Sequence, residues 1–296
     1  MSVAGALPIG TPVRRTGLGA SPAWRRFRRH RGAQVGLGVV VFFALLALFA
    51  PVVAPYSPTD ADLAQRLAPR SAAHWLGMDQ QGRDLLSRII YGGRVSLVIG
   101  VIAVGVAAVI GLPLGAVAGY RGGWVGQVLM TLIDILLSFP AILVAIIIVA
   151  LFGPGIRNAM IAIGVSQMPV YARLIRGEVI KLRSETFVEA ARAIGLSERR
   201  VLIRHVLPNA VGPIIVQSTL NLAGAILSAA YLGFLGLGAQ PPTPEWGAML
   251  SDGRTYLRTA PHVAIYPGLA VMLVVLGFNL FGDGLRDALD PRATRR

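Results

Sequence analysis

Cys is absent from all 296 residues, so thiolate nucleophiles, thiolate metal sites and disulfides are excluded. The four histidines, His30, His74, His205 and His262, stand far apart, and neither H-E-x-x-H nor any comparable ligand spacing links them, which argues against a metal centre. No G-x-x-x-x-G-K-[ST] turn is present; the one Lys, Lys181, follows Glu178-Val179-Ile180, so ATP is not held by that route. A G-x-S-x-G elbow is also missing, and no Ser, His and Asp are arranged as a recognisable triad. Any catalysis must come from outside the chain, and no cofactor is expected. What remains is a set of polar residues at particular places. Asp134 is set in an apolar run, and a charged segment containing Glu189 and His205 is punctuated by Gly195 and Pro208.

The elements that position these residues follow from composition. Hydrophobic residues make up 54% of the chain and charged residues 14%, where about 25% charged is usual for a soluble domain. One globular core cannot hide so much apolar surface, so the expected solvent is lipid. Charge-poor stretches long enough to cross a ~30 Å hydrocarbon layer occur at residues 36–54, 95–120, 122–156, 211–232 and 263–282, with a shorter one at 158–172. These predict an all-α polytopic membrane protein with six transmembrane helices and both termini on one side.

Net charge is +14, which in a soluble protein would raise nucleic-acid binding. Its distribution points elsewhere. Twenty of the 28 basic residues fall in the N-terminal tail, near Arg121, between Arg173 and Arg204 and in the C-terminal tail; eight fall on the other face. By the positive-inside rule both termini should be cytoplasmic. The Arg-rich tail lacks aromatic interleaving and directly precedes an apolar helix, so contact with anionic lipid explains it and no nucleic-acid partner is expected. Arg25-Arg26-Phe27 faintly resembles an export signal, but the long apolar run after it fits an uncleaved anchor. The expected organisation is a basic cytoplasmic tail at 1–34, a first span with an extracytoplasmic segment at 35–94, a membrane core at 95–290 with a cytoplasmic loop at about 176–209, and a basic tail at 291–296.

In that loop Phe187, Ala190, Ala191 and Ile194 fall at i, i+3, i+4 and i+7, which predicts a short helix with one apolar stripe. Gly195 should stop it, Ser197 should cap a second helix with Glu198 at its positive end, and Pro208 should end that second helix. Taken alone, these residues fit an amphipathic hairpin on the bilayer and a docking surface for a partner equally well. Their spacing adds a further observation. Glu189-Ala190-Ala191, three residues, Gly195, nine residues, then His205-Val206-Leu207-Pro208 resembles the loop of binding-protein-dependent ABC importer permeases that seats in a groove of the ATPase. The resemblance assigns ATPase coupling to Glu189, Ala190, Ala191, Gly195, His205, Leu207 and Pro208.

Two further stretches narrow it to the dipeptide, oligopeptide and nickel branch. One runs His74-Trp75-Leu76-Gly77, Asp79, Gly82-Arg83-Asp84, Ser87-Arg88, Gly92, Arg94, Ser96-Leu97 and Gly100; the other runs from Phe234 to Leu257 through Pro241-Pro242-Thr243-Pro244-Glu245-Trp246-Gly247-Ala248-Met249. With Asn279 and residues 282–291 the likeness covers about residues 36–292. It implies the type I importer transmembrane fold. It also implies a second homologous permease subunit, two cytoplasmic ABC ATPases and an extracytoplasmic solute-binding protein, with dipeptides, oligopeptides, glutathione, nickel complexes or haem as cargo. Met78, Thr131 and Ala229 depart from the branch's usual Thr, Arg and Glu, so pathway roles at the last two are not transferred.

Four more residues are candidates for the path or its gate. Asp134 is an acid within a span, either functional or an ion-paired strut. Pro140, after Ser138-Phe139, frees backbone bonds where a helix can bend. Trp246 and Met249 lie in the proline-rich outer loop, with Trp246 either anchoring at the interface or touching cargo. Leu85, Leu86, Ile89 and Ile90 oppose Arg83, Asp84, Ser87 and Arg88, which predicts an interfacial helix with its polar side to water. Gly111, Gly115 and Gly119 recur every fourth residue and predict a close helix crossing. A transporter or channel working without ATPases would be expected to carry more intramembrane charge.

Overall fold

The computed structural model describes residues 22–28 and 30–289. Arg14, Arg15, Arg29 and the tail expected at 291–296 lie outside the described residues. Among those described, the regular structure is helical apart from one bridge between Met78 and Asp84. In chain order the helices are α1 (Pro22–Phe27), α2 (Arg31–Leu48), α3 (Ala50–Val53), α4 (Leu85–Arg121), α5 (Gly123–Leu137), α6 (Ala141–Phe152) and α7 (Ile156–Arg183). They continue with α8 (Thr186–Ala193), α9 (Glu198–Val201), α10 (Val211–Phe234), α11 (Trp246–Gly253) and α12 (His262–Leu289).

Four helical stretches are long and apolar enough to cross a membrane: α2, α4, residues 198–234 including α10, and α12. The expected single span at 122–156 is instead two helices, α5 and α6, bent by 88° and able to cross only as a pair. Ser138, Phe139 and Pro140 make the corner, because Pro140 has no N–H to continue the ladder and disfavours helical geometry at Phe139. The expected fourth span lies inside α7, whose 28 residues are long enough but diluted by Gln167, Arg173, Arg176 and Glu178. The described residues therefore support four spans, or five with the bent pair, where six were expected.

The glycine prediction matches what the structure shows. α4 crosses α7 backbone to backbone: a Cβ on Gly111 would meet the Met168 carbonyl at 2.5 Å, one on Gly119 the Arg176 carbonyl at 2.8 Å, and one on Gly115 would collide with the Ala172 carbonyl. Larger side chains would separate the two helices, and without a hydrophobic drive between helices in lipid, close packing is what holds them. α10 packs between α4 and α12, and α2 lies along α12. Phe27, at the end of α1, meets Phe281 of α12 edge to face at 5.8 Å. Phe42, Leu48, Val52, Met272 and Leu276 point outward, as helices surrounded by hydrocarbon require.

The interfacial helix expected from Leu85 to Ile90 is the first turns of α4, capped by Asp84, which accepts the Ser87 N–H at 2.8 Å. Its polar side does not face water. Arg83, Asp84, Ser87 and Arg88 are all buried, because the segment before α4 folds back and supplies their partners. Asp79 receives Arg83 Nε at 2.7 Å and lies 3.2 Å from Arg88 Nε; Asp84 is 2.9 Å from His74 Nδ1; Arg88 Nη1 donates to the Pro58 carbonyl at 2.9 Å.

Candidate functional site

At one end of the bundle α8 and α9 stand out from the chain as a bent pair. α8 ends in a Schellman turn: Gly195 adopts φ +82°, its N–H donates to the Arg192 carbonyl at 2.9 Å, and the Leu196 N–H donates to the Ala191 carbonyl at 3.2 Å. Ser197 occupies the N-cap position of α9 without a capping bond from its side chain. Pro208 does not end the second helix. A π turn, Leu202–Val206, is followed by a 3-10 turn, Leu207–Ala210, leading straight into α10, with Leu207 at φ −58°, ψ −41°. The wider π turn and the position of Pro208 at the start of the next turn, where its N–H is not needed, remove the expected clash.

The expected apolar stripe is also redistributed. Val188 and Ala191 face inward, into a cluster with Ile175, Val179, Val201 and Val206. Phe187, at 39%, and Ile194, at 77%, are exposed, together with Ala190 and Glu189. Placing two large apolar groups outward on a helix that already has an inward anchor leaves a surface that none of the described residues covers. His205 is half-buried, its carbonyl receiving Asn209 Nδ2 at 2.6 Å; Pro208 is exposed and Leu207 half-buried. Glu189, Ala190, Ala191, Gly195, His205, Leu207 and Pro208 therefore all belong to one protruding segment.

One residue that sequence reasoning missed holds this segment to the bundle. The Tyr120 hydroxyl, in the last turn of α4, donates to Glu198 at the start of α9, and Glu198 also receives Arg192 Nε at 3.2 Å and Nη2 at 3.3 Å. Hydrogen bonding from Tyr120, followed by Arg192, holds the Glu198 carboxyl below its usual range. Nothing in a Tyr at a helix end points to a Glu 78 residues later.

Asp134 is ion-paired, with Oδ1 2.6 Å from Arg173 Nη2, and both side chains are exposed on the surface of this chain. It lines a cavity of about 570 Å³ with Gln127, Thr131, Arg176 and Arg183. Pro140 sits at the α5–α6 corner, six residues after Asp134, about 9 Å further along by a helical rise of about 1.5 Å per residue. Midway along α7 and α10, Tyr171 donates to Ser218 Oγ at 3.0 Å and Gln217 Nε2 to Asn221 Oδ1 at 2.8 Å, while Gln167 Oε1 and Asn221 Nδ2 are buried without a hydrogen-bond partner. This polar strip inside an apolar bundle was not singled out from the sequence; single Gln and Asn residues in a span give only a weak signal.

At the opposite end Trp246 and Met249 are buried rather than at a surface. Trp246 lies over Gly92 and Gly93, donates from Nε1 to the Ile89 carbonyl at 2.9 Å and meets Phe43 edge to face at 5.8 Å. The interface-anchor reading of Trp246 is therefore corrected: the glycines leave a slot that the indole fills. Glu245, also unremarked as a site in the sequence, caps α11. It accepts the Gly247 and Ala248 N–H groups at 2.9 Å each and Ser96 Oγ at 3.1 Å, and burial pushes its carboxyl up. An acid directly before Trp-Gly-Ala is the capping signal that could have identified it. Among the described residues no cluster of His, Asp or Glu is arranged to hold a metal ion.

A family model described as binding-protein-dependent transport system inner membrane component matches residues 111–295, and one described as the N-terminal TM domain of oligopeptide transport permease C matches residues 21–69. The dipeptide transport system permease protein of Alkalihalophilus pseudofirmus is 49% identical over 270 residues, 91% of this chain and 89% of the relative. The glutathione transport system permease protein of Escherichia coli O6:K15:H31 is 48% identical over the same length and the same shares. The inward-facing MetNI methionine ABC transporter contains a chain of similar fold, with TM-score 0.58 and 18% identity, covering 70% of this chain and 98% of that one.

Proposed function

The chain belongs to the family of inner-membrane components of binding-protein-dependent transport systems, and on that premise we propose that it is one of two permease subunits enclosing the path of an ATP-driven importer for short peptides. It is a translocation component and not an enzyme, and the family works with a partner permease, ATPases and a binding protein. In this reading both termini and the α8–α9 segment are cytoplasmic, two ATPases supply hydrolysis, and a solute-binding protein delivers cargo to the opposite end. Dipeptide and glutathione names on relatives near 48% identity support a short peptide as cargo over nickel complexes or haem.

The observation that carries the coupling role is the outward apolar face of α8, Phe187 and Ile194, on a segment fixed from behind by Val188 and Ala191. A docking surface must be rigid to transmit force, and the Schellman turn at Gly195 provides that. ATP binding draws the ATPases together; the segment moves with them, and its differential affinity for the closed ATPases biases the path outward. Asp134, Pro140 and the Gln167–Asn221 strip lie on the helices proposed to line that path. Trp246 and Met249 brace its outer end.

The test is uptake of labelled dipeptide and glutathione by proteoliposomes holding both permeases, the ATPases and the binding protein. Uptake that requires ATP hydrolysis is expected. Flux through the permeases alone would replace this reading with a channel or secondary transporter.

A further inference from the structure

We propose that Tyr120 is the positioning residue through which movement of the α8–α9 segment reaches the membrane helices. This rests on the reading of α8 as the ATPase dock and adds the route inward from it.

Three elements converge on this one side chain. From the end of α7, Arg183 sets its guanidinium 5.7 Å from the ring centroid and donates from Nη1 to the Tyr120 carbonyl at 2.7 Å. From α8, Arg192 places its guanidinium 6.0 Å from the same centroid. From α9, Glu198 accepts the hydroxyl and is itself gripped by Nε and Nη2 of Arg192. A cation over an aromatic face and a charge-assisted hydrogen bond to its edge are directional. The other attachment of α8 to the bundle, Val188 and Ala191 in an apolar cluster, holds the helix in place but is not directional and does not by itself set its angle. The Tyr120 contacts therefore fix the angle of the segment against α4.

What α4 does with that force follows from its packing. The last turn carrying Tyr120 continues directly into the Gly119, Gly115 and Gly111 crossing, where α4 contributes no side chain and its backbone meets the Met168, Ala172 and Arg176 carbonyls of α7. Such contacts do not absorb displacement in rotamers, so α4 and α7 move as a pair. Arg183 closes the loop by tying the end of α7 to the same residue.

The geometry also has a pH signature. Glu198 is held ionised by Tyr120 and Arg192, so the clasp is present at neutral pH and is lost as pH falls through the lowered carboxyl value.

The experiment uses the assembled complex in proteoliposomes and reads ATP hydrolysed per solute taken up, with ATPase retention on purification measured alongside. Tyr120→Phe keeps the ring beside the two guanidinium groups and loses the Glu198 bond. Tyr120→Leu loses both. The expected result is unchanged ATPase retention with ATP per solute raised about fivefold in Tyr120→Leu, and less in Tyr120→Phe. Arg192→Glu and Glu198→Arg should each raise the ratio, and the double exchange should restore it. If transport and hydrolysis fall together in proportion to assembled complex, with the ratio constant, Tyr120 is only a structural brace and the proposal is overturned. Failure of the docking premise is read separately: ATPases retained by a Phe187→Asp, Ile194→Asp variant would overturn the dock itself.

Discussion

The two ends of this bundle treat their polar groups in opposite ways. At the end carrying α11, Asp79, Arg83, Asp84, Arg88 and Glu245 are all buried, each held by neighbours from the segment before α4 or from α11 itself. At the end carrying α8, Glu198 and Arg192 pair nearer solvent while Phe187 and Ile194 point outward. Buried charges must be paired to be stable, and at the first end Asp79 pairs Arg83 and Arg88 and Asp84 pairs His74 within the chain, with Arg88 Nε left without a hydrogen bond. An exposed apolar face is costly without a cover, and at the second end none of the described residues buries Phe187 or Ile194. The difference separates a region that covers its own charges from the one that carries the proposed dock.

Removing the shared acid should break the closed end most strongly. Asp79→Ala leaves Arg83 and Arg88 buried without their counterion, and a loss of about 3–5 kcal/mol is expected, seen as a lower thermal midpoint in detergent and a poorer yield. Glu245→Ala uncaps α11 and should cost about 1 kcal/mol. Because burial raises the Glu245 carboxyl, its contribution is fully present below the ordinary Glu range and is lost as pH rises through the raised value; Glu245→Gln should flatten that dependence in a thermal midpoint series. At the open end Gly195→Ala places a side chain at φ +82° with open space around it, so about 1 kcal/mol of backbone strain is expected, with a larger fall in ATPase retention than in thermal midpoint. The smallest stability effect belongs to Phe187→Asp with Ile194→Asp. Both sites are exposed, so the thermal midpoint should move by no more than about 0.5 kcal/mol allows while ATPase retention is lost. A large fall in midpoint there would mean that the two residues already have a partner in the chain and would erase the contrast.

Composition and spacing made the membrane setting, the helical class, the α4–α7 glycine crossing and the protruding segment legible. These depend on local rules: apolar runs, i+4 repeats and a Gly whose conformation other residues resist. The Gly195 stop was readable for that reason. The Pro208 stop was not borne out, because a π turn from Leu202 to Val206 absorbs the proline, and no local rule announces that. The bend at Pro140 was legible as a site, but the 88° between α5 and α6 was not, since neighbouring helices set an angle.

By itself the sequence determined which stretches avoid water and which residue in each turn permits a stop. Only the tertiary structure decided which way the amphipathic faces point. α8 turned Phe187 and Ile194 outward because Val188 and Ala191 fill the space over α7, and the start of α4 turned its charges inward because Asp79 and His74 fold back over them. Facing is set by the partner an element meets, and that partner lies far away in the chain, as Glu198 lies 78 residues from Tyr120.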